Sequence, residues 1–158
     1  MVKVIHIGPT EGINFHNKTK NLPLIVKVFH PNCGHCIKLE PEWNKFANIL
    51  KKNYDGDIGV VSIHADALAD IESNGLNNIQ GYPTIRIIKN NNLVDEYNDE
   101  RNNMKMLNYS LKHFNIKKKK QSKKKQSKKK QSKKKQSKKK QSKKKQSKKE
   151  TIQKLVKI

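Results

Sequence analysis

The sequence predicts an α/β fold, a mixed central sheet with helices on both faces, followed by a disordered lysine-rich tail. Three observations carry this prediction. Residues 24–29 and 58–64 are near-continuous β-branched apolar runs, the mark of strands buried on both faces. A helical period begins directly after the first run. Two further short strand runs, split by Asn90-Asn91-Asn92, read as an antiparallel hairpin.

The elements follow in order. Residues 2–7 alternate weakly and predict a strand ended by Gly8-Pro9-Thr10. Residues 10–20 have room for one or two helical turns, with Ile13 and Phe15 as apolar anchors. After the 24–29 strand, Ile37, Leu39, Trp43, Phe46, Ala47, Ile49 and Leu50 recur at helical spacing over 34–51. Pro41 lies inside that helix and removes one backbone donor, which predicts a kink near 37–41. Asp55-Gly56-Asp57 is a turn, 58–64 a strand, and 65–73 a short helix ended by Asn74-Gly75. Strands are predicted at 84–88 and 93–97. A last helix over 101–114 is expected to bury Met104, Leu107, Leu111 and Phe114.

Charge divides the 158 residues into two parts. From Lys117 onward lie 23 of the 36 Lys and Arg and one of the 13 Asp and Glu, so +22 of the formal net charge of +23 belongs to the tail. Residues 1–116 hold 13 basic against 12 acidic residues and form the predicted globular domain; 117–158 form the tail. Gln-Ser-Lys-Lys-Lys begins at 121, 126, 131, 136 and 141, with a Gln-Ser-Lys-Lys-Glu variant at 146. Like-charge repulsion with nothing to bury predicts disorder there. Such a polycation over 117–150 is expected to contact nucleic acid or an anionic membrane without sequence preference. Slippage of a short repeat explains the same pattern with no selected role.

The opening residues hold no signal-peptide core, and no run approaches the length of a membrane span. Those signals predict a cytoplasmic protein, and the folded part is expected to be monomeric.

The only two cysteines are Cys33 and Cys36, too close for a structural staple, since so short a loop removes little unfolded-state entropy. Half a zinc site would need further ligands, and only His30 and His35 lie nearby in sequence. No metal or cofactor is therefore expected. The spacing suits thiol exchange. A nucleophilic thiol attacks as the thiolate, and a position just before a helix offers it unpaired N–H groups and partial positive charge. Cys33 is thus the candidate nucleophile and Cys36, one turn later, the resolving thiol. Gly34 is expected to permit a tight helix entry, and protonated His35 to add positive charge.

Val28-Phe29-His30-Pro31-Asn32-Cys33-Gly34-His35-Cys36-Ile37-Lys38-Leu39-Glu40-Pro41-Glu42-Trp43 resembles the active-site segment of protein disulfide isomerase domains, members of the thioredoxin superfamily. Gly81-Tyr82-Pro83-Thr84-Ile85 resembles the loop bearing that family's cis-proline. Tyr97 followed by Arg101 is similar to the segment holding a mobile arginine. The resemblance spans about residues 2–114. It implies a thioredoxin fold, a cis Pro83 facing the cysteines, an Arg101 that tunes the second thiol, and protein thiols and disulfides as substrates.

Two positions depart from the pattern. Asn32 stands where the family has Trp, on the substrate-docking face. Lys27 stands where the family carries a buried acid that relays protons for the second cysteine. A buried ammonium there would instead stabilise a nearby thiolate; alternatively, Lys27 snorkels from the strand end. Lys27 makes a rival reading worth stating: a redox-weak binding module of the same fold, anchored by its tail. The Lys/Asn/Ile bias and the repeats are reminiscent of giant DNA virus proteins, which implies a virion-associated protein made in the cytosol.

Overall fold

The computed structural model describes residues 1–120; residues 121–158, with the repeats and most of the segment expected to be disordered, lie outside the described residues. Among the described residues, seven strands and three α-helices form in the order β1 (Lys3–Ile7), α1 (Phe15–Thr19), β2 (Leu24–Phe29), α2 (Gly34–Asn53), β3 (Tyr54–Asp55), β4 (Gly59–His64), β5 (Thr84–Lys89), β6 (Asn92–Glu96), α3 (Asn103–His113) and β7 (Lys117–Lys118). The main sheet runs β1-β4-β2-β5-β6. β4 pairs in parallel with β1 and β2, and β5 pairs antiparallel with β2 and β6, so the sheet is mixed.

Period-two alternation along β2 sends its side chains to two separate cores. Ile25 joins Leu39, Trp43, Phe46 and Leu50 of α2 with Met106 and Leu107 of α3 on one face. Leu24, Val26 and Val28 join Phe15, Ala67, Ile71 and Leu76 on the other. Continuous apolar runs in β2 and β4 follow directly: both faces of these strands are covered. The β5–β6 hairpin turns on Asn90 and Asn91, both at positive φ (50° and 64°). Asn tolerates that region better than most residues, and a two-residue turn needs it at both positions.

Four expectations are corrected. Residues 65–73 form no α-helix. A 3-10 helix spans Ala65–Asp70, and a second spans Asn74–Leu76. Only Ala67 is buried along the first, so no apolar stripe of helical period exists to hold an α-helix. Ile13 is no anchor, being 77% exposed. Gly12 is buried in its place, pressed so close to the Ala67 carbonyl that a Cβ would lie 2.3 Å from its oxygen.

The buried register of α3 also shifts: Met104 is 54% exposed and Met106 fully buried. Lys117 and Lys118, expected to begin the tail, pair with Tyr54 and Asp55, and Met1–Lys119 packs as one unit. Ile116, packed against the α2–α3 core, draws this segment in.

Candidate active site

β2 ends at Phe29, and four residues later Cys33 caps α2 with an extended backbone (φ −93°, ψ 113°). Its sulfur accepts from the Cys36 N–H at 3.2 Å and its thiol donates to the Tyr82 carbonyl at 3.4 Å. The Tyr82–Pro83 bond is cis, and Pro83 is buried beside the cysteines. Gly34 departs from expectation. It has no positive φ, and a Cβ there would meet nothing within 4 Å. The tight entry comes from the Cys33 backbone, and Gly34 leaves open space.

The two thiols are held differently. A hydrogen bond from the Cys36 thiol holds Cys33 below the usual thiol range; burial opposes it, and the backbone amides of Cys36 and His35 and the Arg101 guanidinium add to the lowering. What His35 supplies here is its backbone amide; its side chain is exposed. Cys36 is 4% exposed, and burial, with the Cys33 hydrogen bond and charge, pushes its thiol up to about 11. The His30 backbone and the Lys27 charge pull the other way. Arg101, expected to tune the second thiol, donates from Nη2 to the Pro83 carbonyl at 3.2 Å, and its charge favours the Cys33 thiolate.

Lys27 does not snorkel. It is 1% exposed, on the β2 face toward α2, with Nζ 4.9 Å from the Phe29 ring centroid and 5.4 Å from that of Trp43. Its ammonium pairs with the Glu40 carboxylate. The other Glu40 oxygen accepts from Asn44 Nδ2 at 3.2 Å. Across the sheet from Lys27, Ser62 Oγ accepts from Trp43 Nε1 at 2.9 Å.

All seven sequence-predicted residues (Lys27, Cys33, Gly34, His35, Cys36, Pro83 and Arg101) lie at this one end of the sheet. Sequence reading missed Glu40, whose only signal was its place four residues after Cys36. It also missed Glu42, which accepts from the Asn103 backbone N–H at 3.0 Å and side-chain amide at 2.6 Å, tying the start of α3 to α2. The site's edge is aromatic: His30 stacks on Tyr82 at 6.2 Å and tilts toward His64 at 6.1 Å. Ile37 stands exposed one residue after Cys36. Among the described residues no group of three or more His, Cys, Asp or Glu is placed to hold a metal ion.

A mixed sheet with an unequal Cys-x-x-Cys pair capping a helix against a cis-proline loop defines a dithiol exchange domain. The Thioredoxin family profile matches residues 7–112, and the chain belongs to that family. It is 36% identical over 99 residues to the probable protein disulfide-isomerase ER-60 of Schistosoma mansoni, covering 62% of this chain and 20% of that protein. The first thioredoxin domain of mouse protein disulfide-isomerase A4 superposes with a TM-score of 0.51 at 30% identity, covering 63% of this chain and 69% of that one. The J-Trx1 fragment of ERdj5 superposes at 0.54 with 20% identity, covering 70% of this chain and 51% of that one. The chain spans about a fifth of the length of the curated relatives it matches.

Proposed function

We propose that the domain exchanges disulfides in protein substrates through Cys33 and Cys36. The carrying observation is the unequal placement of the two thiols. Cys33 caps α2 beside the cis Tyr82–Pro83 bond and accepts the Cys36 N–H, which favours its thiolate. Cys36 is 4% exposed, which favours its neutral form. Cys33 thiolate attacks a substrate disulfide, forming a mixed disulfide and expelling one substrate thiolate, which takes up a proton. Cys36 then gives up its proton and attacks the Cys33 sulfur. The mixed disulfide breaks, the second substrate thiolate leaves, and two electrons have passed to the substrate. The reverse sequence oxidises a dithiol, and release before resolution isomerises. Pro83 and Tyr82 form one wall of the peptide groove, and Arg101 steadies the Cys33 thiolate. External thiols or a reductase restore the starting state. We read residues 117–150 as an electrostatic tether to nucleic acid or an anionic membrane, on the strength of their charge.

Turnover of insulin disulfides with dithiothreitol tests the exchange reading. The wild type is expected to turn over and Cys33→Ser to fall to the dithiothreitol background. An unchanged rate in Cys33→Ser, or none in the wild type, overturns it. The reduction potential then sets direction: roughly −270 mV marks a reductant and roughly −180 mV an oxidant or isomerase.

A further inference from the structure

A buried ammonium is unfavourable without a partner of opposite charge. Lys27 is such a group, and its partner comes from α2, the helix that carries both thiols. Cys36, Glu40 and Trp43 follow one another at spacings of four and three, so they line one side of that helix. Lys27 reaches this side from β2, with Nζ against the Phe29 and Trp43 rings and bonded to the Glu40 carboxylate, one turn beyond Cys36. Glu40 itself is half-exposed (49%), with Asn44 on its other oxygen. The ammonium is thus bonded to a carboxylate that reaches the surface, on the helix side that carries the buried Cys36 one turn earlier.

We infer that Glu40 is a positioning residue: by neutralising and fixing the buried Lys27 ammonium, it sets how readily Cys36 ionises and hence the dithiol–disulfide balance. The inference rests on the exchange reading above. In this low-dielectric setting a unit charge acts strongly on its neighbours. Two charged groups bear on Cys36, the Cys33 sulfur and Lys27, while Arg101 bears on Cys33. Lys27 favours the Cys36 thiolate, against the effect of burial. The Glu40 carboxylate offsets that field. Without its charge, the Cys36 thiolate becomes the counterion left to Lys27, and the reduced form gains.

Glu40→Gln and Lys27→Met in the full chain separate this role from simple packing. Loss of a structural contact would move both variants the same way; loss of a field moves them apart. Because the Cys36 midpoint lies near 11, its ionisation weighs on the balance only at high pH. Against a glutathione couple at pH 11, Glu40→Gln is expected to shift the equilibrium about fivefold toward the dithiol, with little change at pH 7. Lys27→Met is expected to shift it toward the disulfide. In a Cys33→Ser background, the pH titration of the Cys36 Cβ carbon signal should move down with Glu40→Gln and up with Lys27→Met.

Movement of both variants in one direction, or a Glu40→Gln protein within about twofold of wild type at pH 11 and with an unmoved titration, overturns the inference. Where Lys27→Met fails to fold, Glu40→Gln decides alone, since its side chain is half in water. The titration needs no turnover. A wild type that forms no disulfide with glutathione therefore refutes the exchange reading, while the Cys36 signal still decides the role of Glu40.

Discussion

At the scale of single residues, the site works through a contrast in protonation between two like groups. The Cys33 sulfur accepts a backbone N–H where a helix begins, and such hydrogen bonds favour the charged form. Cys36 is enclosed by the protein, and desolvation favours its neutral form. At pH 7 alkylation by iodoacetamide is expected to label Cys33 at least tenfold faster than Cys36, because the reagent reacts with the thiolate alone. Raising the pH should bring up the Cys36 rate toward its midpoint near 11, while Cys33 levels off at lower pH. Peptide mass spectrometry across pH 5–11 reads both. Equal labelling at pH 7 would mean that the two thiols are not differentiated.

At the scale of elements, what the sequence revealed depended on whether one residue type signalled one environment. β2 and β4 were legible because every residue that faces a core is apolar, save Lys27 and Ser62. The Cys33 site was legible because a helix entry, two cysteines and a proline loop have few other uses together. α3 was misread in its register, and Ser110 explains why. It is fully buried, and its hydroxyl donates to the Met106 carbonyl at 2.9 Å, so a polar residue fills a core position with its hydrogen bond satisfied. Met104 then imitated the missing apolar member of the stripe.

The Lys27–Glu40 pair was half legible. A lysine inside an apolar strand is conspicuous, whereas Glu40 is one of many charges on an amphipathic helix, and only the three-dimensional path of β2 selects it. The corrected register has a measurable consequence. Met106→Ala is expected to destabilise the domain by about 2–5 kcal/mol, through lost burial and the cavity left behind. Met104→Ala should stay within about 0.5 kcal/mol of wild type. Urea unfolding of the two variants separates them, and a larger loss for Met104→Ala than for Met106→Ala would return the helix to the register expected from sequence.

At the scale of the whole molecule, the charge is so unevenly divided that binding and chemistry are separable. Lys119 shows where to divide them. Its N–H donates to the Asn53 carbonyl at 2.7 Å and its ammonium to the Lys51 carbonyl at 2.8 Å. A chain ending at 116 would therefore strip β7 from the folded unit, and one ending at Lys120 keeps it. That shortened chain holds 17 basic against 12 acidic residues, a net +5 in place of +23. Counterion release makes the affinity of a polycation for DNA fall steeply with salt, with a log–log slope of about −0.9 per phosphate neutralised. The full chain should bind double-stranded DNA and anionic vesicles at low salt and lose both as salt rises. The chain ending at Lys120 should bind neither under the same conditions, yet turn over insulin at the full-length rate, because every group around Cys33 and Cys36 is retained. Titrations by fluorescence anisotropy and vesicle sedimentation at 50 and 200 mM salt check the binding. Equal binding by the two chains would place the anion-binding surface on the folded domain and remove any tethering role from residues 121–158.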